Sequence, residues 1–237
     1  MLSHADKSQV AGLSRFFKCG KGQYGEGDEF LGIKVPVTRS VVKECWRTTS
    51  FDELEECISS PYHEARLAAL LTLVEIFAHA KRDMPLRQRC VDFYLSHTAH
   101  INNWDLVDLS CPKILGTYLL HPTPDGALPS RDVLYRLAAS GNLWRQRVAM
   151  VTCWMLLRTD DFTDTLSLAE QFLSHPHPLM HKAVGWMLRE VGKRQIDVLR
   201  NFLTLHAAHM PRTALRYAIE RMANHERRRW MAVPREC

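Results

Sequence analysis

The residues best suited to chemistry lie in Asn102-Asn103-Trp104-Asp105-Leu106-Val107-Asp108-Leu109-Ser110. On a helix, Trp104 and Asp108 stand four positions apart and share a face, with Asp105 on a neighbouring edge. An ionised aspartate beside an aromatic ring can stabilise a cation. Taken alone, the same residues also fit a core tryptophan and two aspartates decorating a helix start. A second candidate, Ser110-Cys111-Pro112-Lys113, spells the S-x-x-K of lysine-activated serine nucleophiles, but no companion S-D-N or K-T-G follows. The plainer reading is a helix bent at Pro112.

Other chemistry finds little support. Gly20, Gly22 and Gly25 match G-x-G-x-x-G in letters, yet no strand precedes them, and Glu26-Gly27-Asp28 follows where a dinucleotide fold needs a helix. Twelve histidines include no H-E-x-x-H, and His175-Pro176-His177-Pro178 has no nearby carboxylates, so no metal is expected. The seven cysteines, Cys19, Cys45, Cys57, Cys90, Cys111, Cys153 and Cys237, are odd in number and widely spaced. They argue against a disulfide framework or structural zinc, and most are expected to be small buried residues in a reducing cytosol.

The elements that must position these residues read as helices throughout. Apolar residues recur at helical spacing, with no convincing alternation of the strand kind. Ser50 with Glu53 forms a capping box before Phe51–Ile58. Ser60-Pro61 opens a long helix to about Ala80. Pro85, Pro129, Pro178 and Pro211 each sit near the first turn of a helix, where a missing N–H costs nothing.

The helices recur in pairs. Glu64-Ala65-Arg66-Leu67-Ala68-Ala69, Gln146-Arg147-Val148-Ala149-Met150 and His181-Lys182-Ala183-Val184-Gly185-Trp186 each set a basic residue before small and apolar ones. Lys182 lies 35 positions after Arg147, and Arg147 lies 81 after Arg66, about two periods. That spacing belongs to helix-pair repeats. The expected fold is all-α: an α-α superhelix, a solenoid of HEAT-like helical repeats. Its second helices line a concave face, where the repeated basic residues form either a stripe for a phosphate backbone or merely solvated helix-start charges.

The chain of 237 residues is long enough for one such domain, with 46% hydrophobic and 24% charged residues, an ordinary soluble composition. The expected division is a single domain, 1–237: an N-terminal helix over 1–18, a glycine-rich loop over 19–29, helical repeats over 30–225 and a basic tail over 226–237. A formal net charge of +5 leans weakly toward an anionic partner. The N-terminus has no basic stretch leading into an apolar core, and the longest apolar stretch, Leu67 to Phe77, is too short for a membrane span. A cytoplasmic protein is expected.

Three segments taken together go further. Trp104-Asp-x-Val-Asp108, Trp144-x-Gln-Arg147 and Lys182-Ala-x-Gly-Trp186-x-Leu-Arg189-Glu, in this order and separation, resemble the AlkD-type DNA alkylation repair glycosylases, whose fold is a stack of HEAT-like repeats. The resemblance runs from Phe30-Leu31-Gly32-Ile33 through Arg212. It implies a DNA glycosylase hydrolysing the N-glycosidic bond of cationic N3- and N7-alkylated purines in double-stranded DNA. It further implies a concave basic cleft without a deep base-flipping pocket.

By the same resemblance Asp108, Trp104 and Trp186 are the catalytic residues. Arg147 falls on the cleft arginine, and Arg39 and Lys34 look like further DNA backbone contacts, with Lys182, Arg189 and Arg212 of the same kind. No cofactor is implied, since hydrolysis needs only water. The expected state is a monomer, nucleoid-associated if bacterial. Better-known members carry a minor-groove helix just before the Leu-Gly-Ile segment, where this chain has Gly20 to Gly27. That departure supports a second reading: a catalytically inactive DNA-binding or protein-interaction scaffold on the same repeats.

Overall fold

The structure is a computed structural model that describes residues 2–123 and 125–235, so Cys237 lies outside the described residues. Among these the chain forms thirteen α-helices and no strand, the sole β-type pairing being an isolated bridge between Glu29 and Tyr62. The fold is all-α, of the helical-repeat class. Two compact units divide it, residues 1–118 and 119–237.

The first unit is built around α4 (His63–His79). Apolar residues surround this helix on nearly all sides, so it is buried rather than amphipathic, with Leu67, Leu70, Leu71 and Leu73 at 3% exposure or less. It packs against α2 (Val35–Cys45), α3 (Phe51–Ile58), α5 (Met84–Ser96) and α6 (Trp104–Ser110). Ser50 and Glu53 form the expected capping box on α3. The long helix starts later than Ser60-Pro61 suggests. The backbone there pairs sideways instead, with Glu29 N–H donating to Pro61 O and His63 N–H to Glu29 O.

Helix α1 (Lys7–Phe16) precedes the glycine-rich loop and buries none of its own residues. It is tied down at its start, where Asp6 N–H donates to Leu31 O at 2.9 Å. The approach is so close that only glycine fits at position 32. Its φ is +85°, and a Cβ there would lie 1.9 Å from the Asp6 carbonyl oxygen. At the other end of the unit, Pro112 ends regular α-structure as expected, and a π-turn over Pro112–Gly116 follows α6.

The second unit begins with α7 (Asp132–Ala138) packed on α8 (Leu143–Leu156), which is covered in turn by α9 (Thr163–Gln171) and α10 (Pro178–Arg194). Helices α11 (Ile196–His206) and α12 (Arg212–Ala218) pack against α10, and α13 (Asn224–Met231) follows. The start of the expected basic tail is therefore helical. Gly185 lets α10 and α12 touch: a Cβ there would lie 2.4 Å from Ala214 O and 2.5 Å from Tyr217 Cβ.

The cysteines only half follow expectation. Cys90, Cys111 and Cys153 are buried, but Cys19 and Cys45 are half-buried and Cys57 is exposed. Burial pushes the Cys19 thiol up to about 11 and the Cys90 and Cys153 thiols to about 12. None of these three is a nucleophile at neutral pH.

Candidate active site

In the first unit, Trp104 opens α6 and Asp108 follows one turn later, both half-buried. The helix starts there because Asn103 caps it, its side-chain oxygen accepting from Trp104 N–H at 2.9 Å. The Trp104 ring is held by two phenylalanines from the end of α1. Phe17 stacks on it at 5.6 Å and 27°, and Phe16 meets it edge-on at 5.7 Å and 71°. Phe16 itself remains 60% exposed.

Behind this helix lies a buried ionic network. His63 sits between two carboxylates, donating from Nε2 to Asp105 Oδ2 at 2.9 Å and from Nδ1 to Asp28 Oδ2 at 3.1 Å. Asp28 Oδ1 also accepts from Arg66 Nη2 at 2.7 Å and Asn102 Nδ2 at 2.8 Å. Burial alone would drive proton loss from His63. The hydrogen bonds to Asp105 and Asp28, with their charges, outweigh it and raise the imidazole to about 9. Burial likewise opposes the Asp28 anion, but the bonds from His63 and Asn102 and the Arg66 charge hold its carboxyl below the usual value. The helix that carries Trp104 and Asp108 is thus pinned through Asp105 to α4 and to the end of the glycine-rich loop.

Glu64, next to His63 and 2% exposed, spends both oxygens on backbone N–H groups: Leu31 on Oε2, Gly32 and Ile33 on Oε1, at 2.9 to 3.0 Å. It shapes the Leu-Gly-Ile turn that leads into α2. Lys34 occupies the N-cap position of α2 and Arg39 lies within it, both exposed.

In the second unit, Asn142 caps α8 by accepting from Trp144 and Arg145 N–H, and Arg147 follows in its second turn. Arg147 is 5% exposed, and its Nη1 donates to Leu179 O at 2.6 Å. On α10, Lys182 is exposed, Trp186 is half-buried, and Arg189 pairs with Glu190 and Glu220. Arg212 donates to Met231 O and Val233 O, closing the end of α13.

These placements bear on three expectations. The stripe of basic residues at successive helix starts does not exist as such. Arg66 is 6% exposed and bound to Asp28, and Arg147 is buried, leaving Lys182 as the exposed member of the three. The reason is that the position after a helix start faces the neighbouring loop, and a guanidinium there satisfies backbone or carboxylate acceptors. Ser110 is no nucleophile, because its hydroxyl is fully buried and bonded to Leu106 O and Tyr94, while Lys113 is exposed. And Asp105 is not a surface decoration but 4% exposed and ion-paired. Among the described residues no three His, Cys, Asp or Glu are grouped to hold a metal ion.

The sequence matches the family described as DNA alkylation repair enzyme over residues 1–222. The chain belongs to the DNA alkylation repair enzyme family. A solved structure described as a predicted DNA alkylation repair enzyme from Enterococcus faecalis has a similar fold, with a TM-score of 0.68 and 17% identity over 93% of this chain and 98% of that one. No curated protein matches the sequence. Membership makes this a protein of DNA repair. The family's stretch from residue 1 includes α1, the glycine-rich loop and the His63 network, none of which the motifs around Trp104, Arg147 and Trp186 had singled out. The one available signal was the Asp that ends the glycine loop, with His63 and Arg66 three apart on a single helix.

Proposed function

We propose that this protein is a DNA glycosylase that hydrolyses the N-glycosidic bond of cationic N3- and N7-alkylated purines in duplex DNA. An alkylated purine carries positive charge and leaves readily, so no strong acid is required. Breaking the bond builds positive charge on the deoxyribose. The Asp108 carboxylate stabilises that charge and orients the attacking water. Trp104 offers an electron-rich face to the same cation. By the family resemblance Trp186 has the second aromatic role and Arg147 a phosphate contact, with Lys34, Arg39 and Lys182 as further contacts to the DNA backbone and Arg189 and Arg212 as lesser ones.

The observation that supports this reading most is the pairing on α6. Trp104 and Asp108 share a short capped helix that His63 and Asp105 hold rigidly, as an electrostatic site demands. The alternative, a non-excising scaffold, draws support from residues 18–28, which form turns rather than a helix ahead of Leu31-Gly32-Ile33. One assay separates them. Duplex DNA containing N7-methylguanine or N3-methyladenine is incubated with the protein and released base is measured. Release above the spontaneous rate is expected; binding without release selects the scaffold.

A further inference from the structure

At the end of the second unit, α12 and α13 frame an open cavity of about 310 Å³, lined by Arg216, Ile219, Asn224, Arg227, Arg228 and Met231. It faces away from α10. Ala214 and Tyr217 are the residues of α12 that meet Gly185, and Arg216 and Ile219 lie on the other side of that helix. The family's stretch ends at residue 222, so α13, which supplies Arg227, Arg228 and Met231, lies outside it.

The charge here is one-sided because its counterions are spent elsewhere. Residues 212–235 contain seven arginines and two glutamates. Glu220 pairs with Arg189 of α10, and Glu226 with Arg200 of α11. Arg212 is used on the backbone carbonyls of Met231 and Val233. Arg216, Arg227 and Arg228 form no hydrogen bond or ion pair among the described residues, and Arg216 and Arg228 are exposed. Planar guanidinium groups around one cavity match carboxylates, which they can hold bidentately. Between them the wall is apolar: Met231 is half-buried, Ile219 is buried, and the methylene stems of the arginines complete it. A phosphate backbone asks only for charge and makes no use of such a wall. An acidic peptide with an apolar side chain uses both.

We propose that this cavity is the docking site for an acidic segment of a partner protein. Its carboxylates pair with Arg216, Arg227 and Arg228, and an apolar side chain of the same segment packs against Met231. Docking here requires neither DNA nor bond cleavage, so it stands apart from the glycosylase reading.

Fluorescence anisotropy of the full chain with a labelled peptide of three aspartates followed by leucine and phenylalanine tests this. Saturable binding of one peptide per chain is expected. Replacing the aspartates by asparagines should weaken it about tenfold, the combined worth of a few exposed ion pairs. Replacing leucine and phenylalanine by serines should also cost about tenfold, through lost apolar burial. The double variant Arg216→Glu, Arg228→Glu reverses two exposed charges without touching the core, and should abolish measurable binding. Excess unmodified duplex DNA should leave the labelled peptide bound. Absence of saturable binding, equal affinity for the asparagine or the serine peptide, or undiminished binding by the double variant overturns the proposal. Displacement by DNA overturns it as well, by making this surface a phosphate contact.

Discussion

At the scale of single residues, two acidic groups three positions apart have opposite fates. Asp105 is buried in an ion pair, and Asp108 stands half-buried one turn beyond Trp104. Asp108 is therefore the carboxylate proposed to act on substrate. Asp108→Asn is expected to keep its melting temperature and its DNA affinity while losing about 10² to 10³ in excision rate, the usual cost of one well-placed electrostatic group. Equal release rates for mutant and wild type would remove Asp108 from the mechanism. His63 makes a different prediction. Its imidazole is raised from 6.5 to about 9, so its contribution to stability is complete below about 6.5 and is lost as pH rises through 9. Asp28, held below its usual value, contributes above that value and loses its contribution only as pH falls into the acid range. Thermal stability should therefore fall between neutrality and pH 9.5. His63→Gln should remove that slope and destabilise at pH 7 by about 3 to 5 kcal/mol, since two buried carboxylates lose their shared cation. An unchanged pH profile in the variant would place the proton elsewhere.

Helices reveal their starts more readily than their surroundings. The Ser50 capping box and the proline-led starts of α5 and α10 follow from local hydrogen bonding, which needs only neighbouring residues. The start of α4 is instead decided by the bridge from Glu29, more than thirty positions away in sequence. Gly185 is legible in the same partial way: the Lys-Ala-x-Gly-Trp motif marks it, but its purpose is the close approach of α12. Gly185→Ala should raise intrinsic helix propensity yet destabilise the protein by about 1 to 3 kcal/mol, because a methyl group there overlaps Ala214 O. Chemical denaturation measures the sign, and a stabilised variant would mean that α10 and α12 part without penalty.

For the molecule as a whole, the formal charge of +5 predicts salt-sensitive DNA binding. The exposed candidates Lys34, Arg39 and Lys182 would each contribute about −0.9 to the slope of log K against log salt, about −3 together. A slope near zero would exclude them from phosphate contact. The helical class, the repeat and the Trp-Asp-x-Val-Asp segment were readable from sequence because each is a local pattern: a period of 3.6, a recurrence, a run of a few residues. Legibility ended where partners are distant. The sequence by itself determined an all-α repeat chain of the DNA alkylation repair family and the residues to inspect first. Only the tertiary structure decided that Arg66 is locked on Asp28, that Arg147 turns to a backbone carbonyl, and that Asp105 and His63 anchor the helix carrying Trp104 and Asp108. The physical reason is desolvation. A charged side chain reads alike whether it ends in water or among acceptors, and burial, which alone separates the two, is a property of the packed fold.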